Sequence, residues 1–69
     1  MPFVNVKILD DNVTKEQKSE LIARITDALV DVLAKSPEKC HIVIEEVNLD
    51  NWGLSGRSVR ENRELAAGQ

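Results

Sequence analysis

The residue with the clearest chemical potential is Pro2, which directly follows Met1 and leads without a break into Phe3-Val4-Asn5-Val6-Lys7-Ile8-Leu9. An initiator methionine is normally trimmed when proline comes next, and trimming would leave Pro2 with a free secondary amine on a rigid ring. An α-amino group titrates near about 7.7–8.0, and an apolar setting disfavours its charged form and lowers that value. Such an amine suits general-base work, because a base is most effective when its pKa lies near the working pH. Pro2 also suits the plain role of a residue that opens an edge strand, where no ladder donor is missed. The other groups that do chemistry are sparse. Cys40 and His41 are the only soft metal ligands and are sequence neighbours, which is poor spacing for zinc. Glu45 and Glu46 are adjacent on a strand pattern and so face opposite ways, which is not a paired-carboxylate site.

A base needs a frame, and the alternation around Pro2 supplies the first part of one. Val4, Val6 and Ile8 share one face of a strand over Phe3–Leu9, while Phe3, Asn5, Lys7 and Leu9 share the other. The first face should lie under a helix. The second is either wet or used in a contact. After the polar Asp10-Asp11-Asn12-Val13, Thr14-Lys15-Glu16-Gln17 has the form of a capping box. Leu21, Ile22, Ile25, Ala28, Leu29, Val32 and Leu33 then fall on one helical stripe, predicting a helix to about Lys35. Pro37 stops it, because the residue before proline avoids helical backbone. His41–Val47 is a second strand, apolar enough to suggest burial on both faces, as in a parallel sheet. Strand, long helix, strand is a β-α-β unit with a right-handed crossover. Trp52-Gly53-Leu54-Ser55-Gly56 fits a short hairpin or bulged excursion, and Arg57 to Leu65 is either a short strand or a helical turn. The expected class is α+β in a single domain spanning 1–69, with a frayed tail from about residue 64 to 69. Arg57, Arg60 and Arg63 step by three and are expected to pair with the acidic helix surface.

At 69 residues the chain is small for a self-sufficient core, since a domain of about 60 residues buries only about 60% of its unfolded surface. One cysteine excludes an internal disulfide and suits a reducing compartment. Self-association is therefore the expected staple. A two-stranded sheet under one helix would also leave both edges and one face open. The net charge of −3, with both signs interspersed, argues against a nucleic-acid binder. No apolar run approaches the roughly 20 residues that span a membrane, and no basic segment precedes an apolar one as in a signal peptide. A cytoplasmic location is the expectation.

Met1-Pro2 before a strand, Thr14-Lys15-Glu16-Gln17-Lys18, Ile42-Val43-Ile44-Glu45-Glu46-Val47 and the Asn51-Trp52-Gly53-Leu54-Ser55-Gly56 turn occur in that order within 69 residues. In this combination the chain resembles the 4-oxalocrotonate tautomerases, the short members of the tautomerase superfamily, over nearly its whole length to about residue 63. The resemblance implies a β-α-β unit with a C-terminal hairpin, assembled as a homohexamer that is a trimer of dimers. It implies a cofactor-free isomerase in which Pro2 is the general base for keto–enol or double-bond isomerisation of a small unsaturated α-keto acid. Members of that family bind substrate carboxylates with an arginine before the helix, where Asn12 or Val13 stands here, and another at the start of the second strand, where His41 stands. Arginine grips a carboxylate in a bidentate fork, which a histidine cannot reproduce. Trp52 matches the family's aromatic wall, His41 takes a binding position, and Arg57 is a replacement cation; a dicarboxylate is not the expected substrate. The other function class is an oligomeric binding or structural protein on the same fold with residual proline chemistry.

Overall fold

A computed structural model describes residues 2–68. Strand β1 (Phe3–Leu9) pairs in parallel with β2 (His41–Val47), in a register running from Phe3 opposite His41 to Leu9 opposite Val47. Helix α1 (Lys15–Leu33) connects them. Its start is the expected capping box: Thr14 Oγ1 accepts from the Gln17 N–H at 3.0 Å, and Gln17 Oε1 accepts from the Thr14 N–H at 2.9 Å. Its end comes earlier than the expected Lys35. Ala34 adopts a left-handed conformation (φ 55°) and its N–H closes the last turn on Val30 O at 3.0 Å. A 3-10 turn at Pro37–Lys39 then leads into β2.

The half-buried residues mark where the layers meet. Val4, Val6 and Ile8 of β1 and Ile42 and Ile44 of β2 lie on one sheet face, with Ile25, Leu29 and Val30 half-buried on α1. Lys18 on α1 pairs with Glu46 on β2 and ties the helix to the sheet. The other face carries Phe3, Asn5, Lys7, His41, Val43 and Glu45 and has no second layer among the described residues. The expected burial of β2 on both faces is therefore not met within one chain, because one helix covers one face only; Val43 remains 39% exposed.

A 3-10 turn at Leu49–Asn51 leads into a small antiparallel hairpin, β3 (Gly53–Leu54) with β4 (Arg57–Ser58). Its two-residue loop has positive φ at both Ser55 (57°) and Gly56 (78°). That handedness matches the strand twist in tight hairpins, and glycine accommodates it at no steric cost. Next comes α2 (Val59–Ala67), so the stretch from Arg57 to Leu65, expected as a short strand or a helical turn, begins as β4 and continues as a helix that runs past residue 64, where a frayed tail was expected to begin. The physical reason is a second capping box, with Ser58 Oγ accepting from the Glu61 N–H at 3.1 Å and Glu61 Oε1 accepting from the Ser58 N–H at 2.9 Å. Gln69 lies outside the described residues. The three arginines do not pair with α1's acids as expected. Arg60 binds Asp50 (2.6 Å), and Arg63 forms a two-pronged pair with Asp11 (3.1 and 2.9 Å).

Among the described residues no side chain is buried. The Cα radius of gyration is 16.0 Å, against about 11 Å for a compact domain of this length. The chain exposes 5288 Å², where a folded monomer of this mass exposes about 4,300 Å². Phe3 and Leu54 are 65% and 63% exposed.

Candidate functional site

Pro2 stands half-buried at the N-terminal end of β1. Its carbonyl accepts from the His41 N–H at 3.0 Å, extending the parallel ladder one step beyond Phe3. The Pro2 carbonyl is thereby held beside the first residue of β2, the exposed His41. The parallel register brings these two together although 39 positions separate them in the sequence (41 − 2).

Trp52 is elsewhere. It is half-buried between the 3-10 turn and β3, and its carbonyl accepts from the Val59 N–H at 2.8 Å. It lines a shallow open hollow of about 270 Å³ with Lys7, Val47, Asn51 and Gly53. Lys7 and Val47 belong to the C-terminal halves of β1 and β2, so this hollow lies at the opposite end of the sheet from Pro2. Five steps along the strand separate Pro2 from Lys7, roughly 16 Å at strand rise. Arg57 lines another shallow hollow with Glu61, Glu64 and Leu65. One chain thus brings Pro2 and His41 together, holds Trp52 apart from them, and sets Arg57 against the acids of α2.

The position before α1 where a cation was missing in the sequence is part of a polar clamp. Asn12 is in a left-handed conformation (φ 65°), and Asp11 beside it binds Arg63. That hydrogen bond, and then the guanidinium charge, hold the Asp11 carboxyl below the usual carboxylate range. On the open sheet face, Glu45 Oε1 accepts from Asn5 Nδ2 at 2.5 Å and Oε2 from Lys7 Nζ at 3.1 Å. Asn5 first, then Lys7, lowers the Glu45 carboxyl. Sequence reasoning passed over Lys7 as a polar residue in mid-strand; its place opposite Glu45 depends on the register. Among the described residues no group of three or more His, Cys, Asp or Glu could hold a metal, and no helix is long and apolar enough to cross a membrane. Cys40 is a free, half-buried thiol that donates to Ser36 O at 3.4 Å.

The parallel β-α-β unit followed by a hairpin has the architecture of the small tautomerases. Residues 2–62 match the model of the tautomerase enzyme family, and the chain belongs to that family. It is 52% identical over 67 residues to "Probable tautomerase K2" of Dickeya dadantii, covering 97% of this chain and 100% of that one. It is 34% identical over 61 residues to the 2-hydroxymuconate tautomerase of Bacillus subtilis, covering 88% and 97%. The crystal structure of DmpI from Helicobacter pylori superposes with a TM-score of 0.83 at 40% identity, covering 91% of this chain and 97% of that one. Family membership supports an isomerase of the tautomerase kind.

Proposed function

We propose that the mature protein, lacking Met1, is a cofactor-free tautomerase of small α-keto acids in which the Pro2 amine is the general base. The observation that carries this reading is the hydrogen bond from the His41 N–H to the Pro2 carbonyl at the head of the ladder, which supports a freed amine kept at that end of the sheet. The amine takes a proton from the enol hydroxyl, and the resulting ammonium returns one to the conjugated carbon, so the substrate is isomerised with no net loss of atoms. Phe3 and Trp52 supply apolar walls, which disfavour the charged amine. His41 binds substrate beside Pro2, and Arg57, which lies against Glu61 and Glu64 within one chain, adds a binding cation only where a neighbouring copy brings it to the site.

The separation of Pro2 from Trp52 leads to an assembly. Among the described residues β1 pairs on one side only, leaving a seven-residue edge free. Two such edges joined antiparallel about a twofold axis would place Pro2 of one copy near residues 7–9 and Trp52 of the other. The extended shape and exposed apolar residues support further association of these dimers into a homohexamer. Sedimentation equilibrium is expected to show it, and a folded monomer at micromolar concentration would refute it.

Catalysis is tested by blocking the amine. With phenylenolpyruvate as probe, protein that retains Met1 or is acetylated on Pro2 should lose about 10²–10⁴-fold in rate, the usual worth of a positioned base. Pro2→Ala keeps a primary amine and should lose less. Equal rates for blocked and free protein would remove Pro2 from the mechanism.

A further inference from the structure

The hollow beside Trp52 carries its own cation. Lys7 lines it together with Val47, Asn51, Trp52 and Gly53. Lys7 lies opposite Glu45 in the ladder and donates to that carboxylate at 3.1 Å. A lysine ammonium has three donors, so two remain for a ligand. The pair is exposed, at 59% for Lys7 and 49% for Glu45. Exposed ion pairs are weak, and a ligand's carboxylate can compete for the ammonium. Glu45 does not lose its support when this happens, because Asn5 donates to its other oxygen. Arg57 lies against Glu61 and Glu64 in a different hollow.

We propose that Lys7 is the residue that binds the substrate's carboxylate beside the Trp52 wall, and that the Lys7–Glu45 pair restricts the site to monocarboxylates. The proposal rests on the isomerase reading above. An α-keto acid carries one carboxylate next to the reacting carbons. Lys7 takes that group while Trp52 covers the apolar remainder, directing the enol toward Pro2 of the adjoining copy. Glu45 leaves the local charge near neutral, and a second carboxylate would be repelled by it. A monoanion finds one donor cluster and one apolar wall, which is what the hollow offers.

The test is steady-state kinetics of the full-length mature protein on phenylenolpyruvate and its uncharged methyl ester. Lys7→Met should raise KM for the acid by up to roughly fivefold, the upper end for an ion pair at an exposed site. It should leave KM for the ester unchanged, and Lys7→Arg should restore binding of the acid. Glu45→Gln removes the competing charge and should lower KM for the acid. Glu45→Gln keeps the size of the side chain and one oxygen to accept from Asn5, while its amide puts a donor in place of the acceptor that holds Lys7. Being nearly isosteric, it decides the matter even if Lys7→Met fails to fold. Active wild-type protein with KM unmoved by Lys7→Met, or not lowered by Glu45→Gln, would overturn this proposal alone. Wild-type protein with no isomerase activity would overturn it together with the reading it rests on.

Discussion

Helices α1 and α2 begin with the same local device but are held in place by different forces. Thr14 with Gln17 and Ser58 with Glu61 make the same reciprocal pair of hydrogen bonds. Beyond the cap they diverge. α1 lays Ile25, Leu29 and Val30 toward the sheet. α2 has nine residues, and its Leu65 is half exposed. It is tied down by polar contacts instead: Asn62 Nδ2 to Leu54 O at 2.9 Å, Arg60 to Asp50, and Arg63 to Asp11. A cap starts a helix, but burial or pairing decides what keeps it docked. The two anchors answer to different conditions, since apolar packing is insensitive to pH and exposed ion pairs respond to both pH and salt.

The largest effect should come from α1's stripe. Ile25→Ala is expected to cost about 2 kcal/mol, the low end for such truncations because the site is only half-buried. Urea unfolding at fixed protein concentration measures it; a cost near zero would mean that α1 is held by its ion pair and not by packing. Next come the caps. Thr14→Ala should cost about 1 kcal/mol of global stability. Ser58→Ala should instead speed hydrogen exchange of the α2 amides while moving the unfolding midpoint less, because a helix docked by few contacts opens locally. Equal midpoint shifts would erase the distinction between the two helices.

The smallest effect is a pH dependence that α2 should show more strongly than α1. Arg63 holds Asp11 below its ordinary range, and the Ser58 backbone N–H and then its hydroxyl do the same for Glu61. A carboxylate with a lowered folded pKa stabilises fully above its ordinary value and loses that contribution as pH falls through the lowered one. Exchange protection of α2 should therefore fall below about pH 4. The cap of α1 uses Gln17, which does not titrate. Asp11→Asn and Glu61→Gln together should flatten the acid response of α2, and a response that survives both substitutions would place its source elsewhere.

How much could be read beforehand follows the same division. The long stripe after Thr14 made α1 legible, the alternation over Phe3–Leu9 and the apolar run His41–Val47 made the strands legible, and the Gly-rich turn after Trp52 made the hairpin legible. The signal for α2 was also present, as Ser58-Val59-Arg60-Glu61, but too few apolar residues follow to show a face. The end of α1 was misplaced because Pro37 was the visible stop, whereas the turn is made by Ala34 in a conformation usually given to glycine. The pairing of Pro2 with His41 follows once two strands are parallel. The distance from Pro2 to Trp52, and the company of Lys7, depend on where the hairpin folds back, which no local pattern encodes.

The ladder between β1 and β2 has a further consequence, in the order of folding. Every rung joins residues 38 positions apart, from Phe3 with His41 to Leu9 with Val47. The first rung to form carries the entropy of closing that loop, and each later rung adds little to it. Helix formation takes about a microsecond or less, so α1 can shorten the loop before the strands meet. Once one rung closes, the others follow as a zipper. The hydrogen bond that fixes Pro2 sits at one end of this zipper, and its lifetime is tied to the opening of the ladder more than to its own strength.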